Sequence, residues 1–233
     1  MKYSTIIFAS VFGLTTAGPA SLDKRSQPQG LDVSSWQGDI NWNQVKADGA
    51  SFAIIKATEG TGYTSDYFAQ QYNGAYNVGL IRGAYHFANP GRSSGTDQAD
   101  YFVAHGGGWS ADGKTLPGMI DLEANGSQEC WGISESEMVT FIRDFGNTYH
   151  AKTSRYPMIY TTASWWDTCT GRNIEFGEDY PLVLASWASS PGAMPAGWSY
   201  ESFWQFADSG KFPGDQDMWN GDEAGLKKMA LGH

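Results

Sequence analysis

The sequence is poor in cysteine, with two in 233 residues, and poor in positive charge, with 15 lysines and arginines against 25 aspartates and glutamates. Two cysteines can form one staple but not a disulfide scaffold, and Cys130 and Cys169 do not make the C-x-x-C pair that thiol redox chemistry uses. In an exported chain they are expected to bond to each other, and closing that loop stabilises by roughly 4 kcal/mol in the chain-entropy model. The excess of acid argues against nucleic acid and anionic membranes as partners. His86, His105 and His150 lack H-x-x-x-H spacing, so no zinc site is expected. No G-x-G-x-x-G turn follows the first strand-like run, which leaves an open nucleotide-binding sheet without support. No repeat, low-complexity block or Pro-rich linker divides the chain.

The first stretch carries processing signals. Lys2, the apolar run Ile6 to Leu14 and the small residues Ala17 to Ala20 read as a secretory signal over 1–20, too short to span a bilayer. Ser21-Leu22-Asp23-Lys24-Arg25 reads as a short pro-peptide, 21–25, closed by a dibasic site. This leaves 26–233 as one secreted, extracellular domain, long enough to bury a core without metals. Removing 1–25 lowers the basic and acidic counts to 12 and 24, a net charge of −12. Asn125-Gly126-Ser127 is a glycosylation sequon two residues from Glu123, where a glycan could obstruct a cleft.

Strand-like runs occur at Gln29 to Val33, Phe52 to Ala57, Leu80 to Phe87, Gly118 to Leu122, Met158 to Thr161, Leu182 to Trp187 and Ser202 to Phe206. Helices are predicted from Tyr67 to Asn77, Asp97 to Ala104 and Glu135 to His150, the last opened by a capping box of Ser134 and Glu137. After about Thr170 helical patterning thins. Strand and helix in alternation imply right-handed crossovers and a mostly parallel sheet, which about eight strands can close into a barrel. The chain is short for a full eightfold barrel, so some outer helices should be missing.

Polar or aromatic residues stand at the C-terminal end of nearly every predicted strand: Asp32, Glu59, Tyr85 and His86, Asp121 and Glu123, Tyr160, Trp187, Gln205, and Asp215 with Asp217. In a parallel barrel those ends share one face. Alternation along Gly118-Met119-Ile120-Asp121-Leu122-Glu123 sends Ile120 and Leu122 toward the helices and both carboxyls toward the barrel axis. Two like charges at roughly 7 Å Cα spacing, with Asp32 and Asp215 nearby, cannot all ionise, so at least one pKa must rise, and the better buried carboxyl should be the acid. One protonated carboxyl beside negative charge is what cleavage of a glycosidic bond needs. Glu123, with the longer reach, is the expected proton donor. A lone D-x-E at a strand end is equally what a solvated turn or a calcium site shows, and the further acids at other strand ends favour catalysis. Gly91-Arg92-Ser93-Ser94-Gly95 matches G-x-S-x-G, but Asn89-Pro90 separates it from its strand, so it reads as a loop and helix cap. Trp36, Tyr63, Tyr85, Tyr160 and Trp187 fall near the expected mouth, where flat rings with polar handles can stack on sugars, although each alone could be wall or packing.

Four ordered stretches resemble the family 25 glycoside hydrolases, the Chalaropsis-type lysozymes: Asp32-Val33-Ser34-Ser35-Trp36-Gln37, Lys56-Ala57-Thr58-Glu59-Gly60, Gly83-Ala84-Tyr85-His86-Phe87 and Ile120-Asp121-Leu122-Glu123. The resemblance runs from Gln29 to Leu231, and the dibasic site is similar to those of fungal secreted enzymes. It implies an irregular TIM-like (β/α)5(β)3 barrel of eight strands with about five helices, cleaving the β-1,4 bond between N-acetylmuramic acid and N-acetylglucosamine in peptidoglycan. It gives Glu123 as proton donor, Asp121 as its strand neighbour and Asp32 as the first-strand carboxylate, with Tyr85 and Trp187 at substrate-contact positions. Glu59, Tyr63, Tyr160 and Asp217 are further substrate-binding candidates. The family's V-D-L-N stretch reads Gly214-Asp215-Gln216-Asp217 here, so the fourth carboxylate is Asp215 by alignment, with Asp217 pointing the same way on a strand. Net retention assisted by the substrate's own acetamido group is expected, with a direct carboxylate nucleophile, Asp121 or Asp215, left open. A chitinase-like enzyme is the rival, but D-x-x-D-x-D-x-E is not found before Glu123. An inactive sugar binder would have lost the acids. Neither metal, organic cofactor nor obligate oligomer is called for, and a monomer is expected.

Overall fold

A computed structural model describes residues 27–233. The expected signal (1–20) and pro-peptide (21–25) lie outside them.

Eight strands close into a barrel. β1 (Gln29–Val33), β2 (Phe52–Glu59), β4 (Ile81–Phe87), β5 (Met119–Asp121), β6 (Met158–Thr161), β7 (Leu182–Ala185) and β8 (Phe203–Ala207) run parallel in that order. β9 (Asp215–Trp219) closes the ring between β8 and β1, antiparallel to both. The two-residue β3 (Tyr63–Thr64) hangs from β2 as a hairpin outside the ring. The expected barrel is therefore mixed in direction. Only residues 208–214 join β8 to β9, and a parallel crossover needs about a dozen residues, so the chain must turn back.

Five helices lie between successive strands up to β7: α1 (Trp42–Ala47), α2 (Phe68–Asn77), α3 (Gly95–Phe102), α4 (Glu135–Thr153) and α5 (Ala163–Thr170), while α6 (Glu223–Leu231) follows β9. α4 starts where its capping box places it: Ser134 Oγ accepts from Glu137 N, and Glu137 Oε2 accepts from Ser134 N at 2.8 Å. Its buried Met138, Phe141, Ile142, Phe145 and Tyr149 recur at helical spacing and pack with Ile120, Leu122, Ile159, Leu182 and Leu184 from outside the barrel. Gly95 allows α3 to approach α4, since a Cβ there would collide with the Phe141 carbonyl oxygen. α1 and α2 cover Leu31, Val33 and Ile55 in the same way.

The barrel interior holds Phe52, Ile54, Tyr85, Met119, Met158, Val183 and Phe203, together with Leu226 and Ala230 of α6. The far end is thus filled by apolar side chains. Gly30 makes room for this filling, because a Cβ would sit 2.5 Å from the Phe52 ring. The acidic residues of the inner face lie toward the other end.

Candidate active site

A cleft of about 320 Å³ opens at that polar end, lined by Asp32, Lys56, Tyr85, Phe87, Asp121, Glu123 and Asp215, and by Val33, Ser34, Trp36 and Gln37 of the segment that ends β1. Asp121 is the last residue of β5 and Glu123 follows two positions later, so one alternation brings both carboxyls inward while Ile120 and Leu122 pack against the helices. Asp215 arrives by a different route. It is the first residue of β9, and because β9 runs backward its start lies beside the C-terminal ends of the others, paired in register with Asp32. Asp217 lies one alternation deeper, opposite Gly30 and Gln205. It is 1% exposed, no amide, backbone or hydroxyl donor reaches its carboxyl, and it faces the carboxyl of Asp32.

Gln205 organises the floor. Its Nε2 donates to Asp32 Oδ2 at 2.7 Å and Asp215 Oδ2 at 3.3 Å, while its Oε1 accepts from Tyr160 OH and Trp187 Nε1, each at 3.0 Å. An amide can supply both two donors and an acceptor, which fixes its orientation here. Trp187 is anchored by its nitrogen although 61% of the residue is exposed.

Burial and mutual repulsion raise the pKa values of the crowded acids. Burial, then the charge of Asp215, pushes Asp32 up to about 8, the Gln205 hydrogen bond opposing the rise. Burial followed by the charges of Glu123 and Asp32 lifts Asp121 well above the usual carboxylate range. Glu123 is raised by its burial, and Lys56 draws it back down. Asp215 and Asp217 are also raised, chiefly by burial, Asp217 the more strongly, with Asp32 and Asp215 adding to it. Tyr85 and Tyr160 are held protonated by burial and by the same acids. The better buried member of the D-x-E pair is Asp121, not Glu123. Burial alone would make Asp121 the acid. The half-buried Glu123 is the one with room to meet an incoming group.

Glu59 sits at the edge in an ion pair with Lys56 (2.8 Å), whose ammonium lies over the rings of Phe87 (4.7 Å) and Tyr63 (5.4 Å). Tyr63 OH donates to Ser35 Oγ at 3.1 Å. His86 is not in the mouth: alternation turns it outward onto Phe102 and Phe145, with Nδ1 2.7 Å from Thr58 Oγ1 and Nε2 2.9 Å from Gln98 Oε1. Burial lowers its pKa to about 4, so it is a neutral core histidine. Cys130 and Cys169 form a disulfide. It ties the segment after Glu123 to α5, and in the same segment Trp131 Nε1 donates to the Glu123 carbonyl oxygen at 2.9 Å. Asn125 is exposed in a turn closed by Gln128.

Sequence reading missed Lys56, Trp131 and the central role of Gln205. Lys56 was recoverable, since Phe52, Ile54 and Lys56 alternate on the inner face of β2. The strand end marks Gln205 as a mouth residue, but its partners Asp32, Tyr160 and Trp187 lie 18 to 173 positions away, and no pattern marks Trp131. Among the described residues, no His, Cys, Asp and Glu side chains are grouped so as to hold a metal ion, and no helix is long and apolar enough to cross a membrane.

Several known proteins are similar to this chain over most of its length. The family model described as glycosyl hydrolases family 25 matches residues 31–215. An N,O-diacetylmuramidase of Arthroderma benhamiae is 50% identical, with all of both chains covered. An N,O-diacetylmuramidase of a Chalaropsis species is 52% identical over 88% of this chain and 99% of its own. A solved muramidase from Trichobolus zukalii superposes with a TM-score of 0.87 at 50% identity, covering 88% of this chain and 100% of that one. The matched span runs from β1 to the first residue of β9 and so takes in Asp32, Asp121, Glu123 and Asp215, and the chain belongs to family 25 of the glycosyl hydrolases.

Proposed function

We propose that this chain is a secreted lysozyme of the muramidase type, hydrolysing the β-1,4 bond between N-acetylmuramic acid and N-acetylglucosamine in bacterial peptidoglycan. The observation that carries the reading is the pair at the end of β5: a half-buried Glu123 with a raised pKa beside a buried Asp121, in an acid-lined cleft of a family 25 barrel. The muramidase names of relatives with about half their residues in common support it, and a disulfide suits an oxidising exterior.

In this mechanism Glu123 gives its proton to the glycosidic oxygen as the bond to the anomeric carbon breaks. The acetamido oxygen of the muramic acid attacks that carbon from the opposite face, closing a five-membered ring that carries the positive charge. Asp121 accepts the acetamido N–H, and the developing cation favours its ionised form. Glu123 then takes a proton from water as the water opens the ring at the anomeric carbon, giving net retention. Asp32 and Asp215, held by Gln205, surround the charge, and Tyr85, Tyr160, Tyr63, Glu59 and Trp187 offer hydroxyl, carboxylate and ring contacts to the sugars.

The test uses the mature protein and Glu123→Gln, a substitution that keeps size and removes the acid, on peptidoglycan at mildly acidic pH. New reducing ends are identified by mass spectrometry. Muramic acid ends from the wild type and a loss of at least a hundredfold in the variant are expected. Equal activity in both would remove Glu123 from the donor role. N-acetylglucosamine ends would overturn the muramidase reading.

A further inference from the structure

Trp36 lines the cleft yet 92% of it is exposed, the most of any large hydrophobic residue among those described. The backbone beneath it is nonetheless fixed. Ser34 caps the single turn Ser35–Gln37, its Oγ accepting from Trp36 N at 3.2 Å, while Gln37 Oε1 accepts from Ser34 N at 2.9 Å. The buried Gln71 of α2 clamps both ends, its Nε2 donating to Ser34 O at 2.8 Å and Gly38 O at 2.9 Å. Tyr63 ties the flank through Ser35. Leaving a whole indole in water forfeits its burial energy, and fixing the loop under it costs chain entropy. A rigid loop presenting a bare ring into a binding cleft is a preorganised contact surface.

Building on the lysozyme reading, we propose that the Trp36 indole is a platform for a sugar of the glycan strand away from the cleaved bond, making the enzyme prefer extended strands to short fragments. The flat C–H face of a hexosamine ring matches an indole, and its hydroxyl rim matches the carboxyl and amide groups of Asp32, Gln37 and Asp215 in the same wall. Trp36 follows β1 and Glu123 follows β5. With β2 and β4 between them, the two stand three strand spacings apart around the mouth, each about 4.8 Å. Trp36 is 92% exposed while Asp121 is buried and Glu123 half-buried, so its ring stands at the rim of the cleft and the sugar stacked on it is not the one being cleaved.

The experiment measures kcat/KM on peptide-free glycan strands and on the tetrasaccharide of two disaccharide repeats, for wild type, Trp36→Ala and Trp36→Phe. The ratio of strand to tetrasaccharide kcat/KM should fall about tenfold in Trp36→Ala, mainly through KM on strands, and be largely restored in Trp36→Phe. An unchanged ratio, with a wild type that cleaves both substrates, overturns the platform. A wild type that releases muramic ends from neither overturns the lysozyme reading instead.

Discussion

Gln205 Nε2 lies 2.7 Å from Asp32 Oδ2, linking β8 to β1 across the intervening β9. The same amide holds Asp215, Tyr160 and Trp187, so one neutral side chain fixes groups from four other strands or strand ends. Gln205→Leu should destabilise the fold by about 2–4 kcal/mol, because it leaves the buried Asp32, the half-buried Asp215 and the Tyr160 hydroxyl short of partners. Urea unfolding at pH 5 measures this. A change within 0.5 kcal/mol would mean that the amide organises nothing.

Stability should decline from acid to neutral pH. A group whose folded pKa lies above its unfolded value stabilises fully below the unfolded pKa and loses that contribution as pH rises toward the folded one. Asp32 spans 3.8 to about 8, and Asp121, Glu123, Asp215 and Asp217 are raised as well. Each proton retained by the folded state alone costs roughly 1.4 kcal/mol per pH unit. Denaturant midpoints between pH 4 and pH 8 should therefore fall, and Asp32→Asn should flatten the slope. A midpoint that rises over this range would contradict the assignment.

Asp217→Asn should stabilise the protein at pH 7 by about 3–4 kcal/mol, at roughly 1.4 kcal/mol per pH unit, and change little at pH 4. The buried carboxyl has no amide, backbone or hydroxyl donor and faces the acid of Asp32, and the substitution removes its capacity to ionise while keeping its size. Paired melts at the two pH values test this, and an equal effect at both would show that packing rather than charge is involved.

Replacing both cysteines by alanine should cost about 4 kcal/mol, since the disulfide closes a separation of 39 residues. The released segment carries Trp131, whose indole holds the Glu123 carbonyl oxygen. Activity should accordingly fail at a lower temperature than global unfolding, measured by turnover and circular dichroism on one sample. Coincident loss of both would separate the tether from the site.

Alternation was enough to place β1 and β6 residue for residue and to send Asp121 and Glu123 one way and Ile120 and Leu122 the other, because side-chain direction on a strand depends only on parity. Ser134 and Glu137 marked the start of α4 because a capping box is a contact between residues three apart. α1, only six residues long, and α5, rich in tryptophan and threonine, gave no such pattern. β9 was hidden because its inner face carries Asp215 and Asp217 where a strand ordinarily shows apolar residues.

The sequence by itself determined the inventory of acids, their parity on each strand and the family they belong to. Only the tertiary structure decided that β9 runs backward and so sets Asp215 against Asp32, that Gln205 is the shared partner, that His86 faces the helices, and that Trp36 stands bare on a clamped turn. These are contacts between residues tens to hundreds of positions apart. Their geometry follows from how the barrel closes, and no local pattern encodes it.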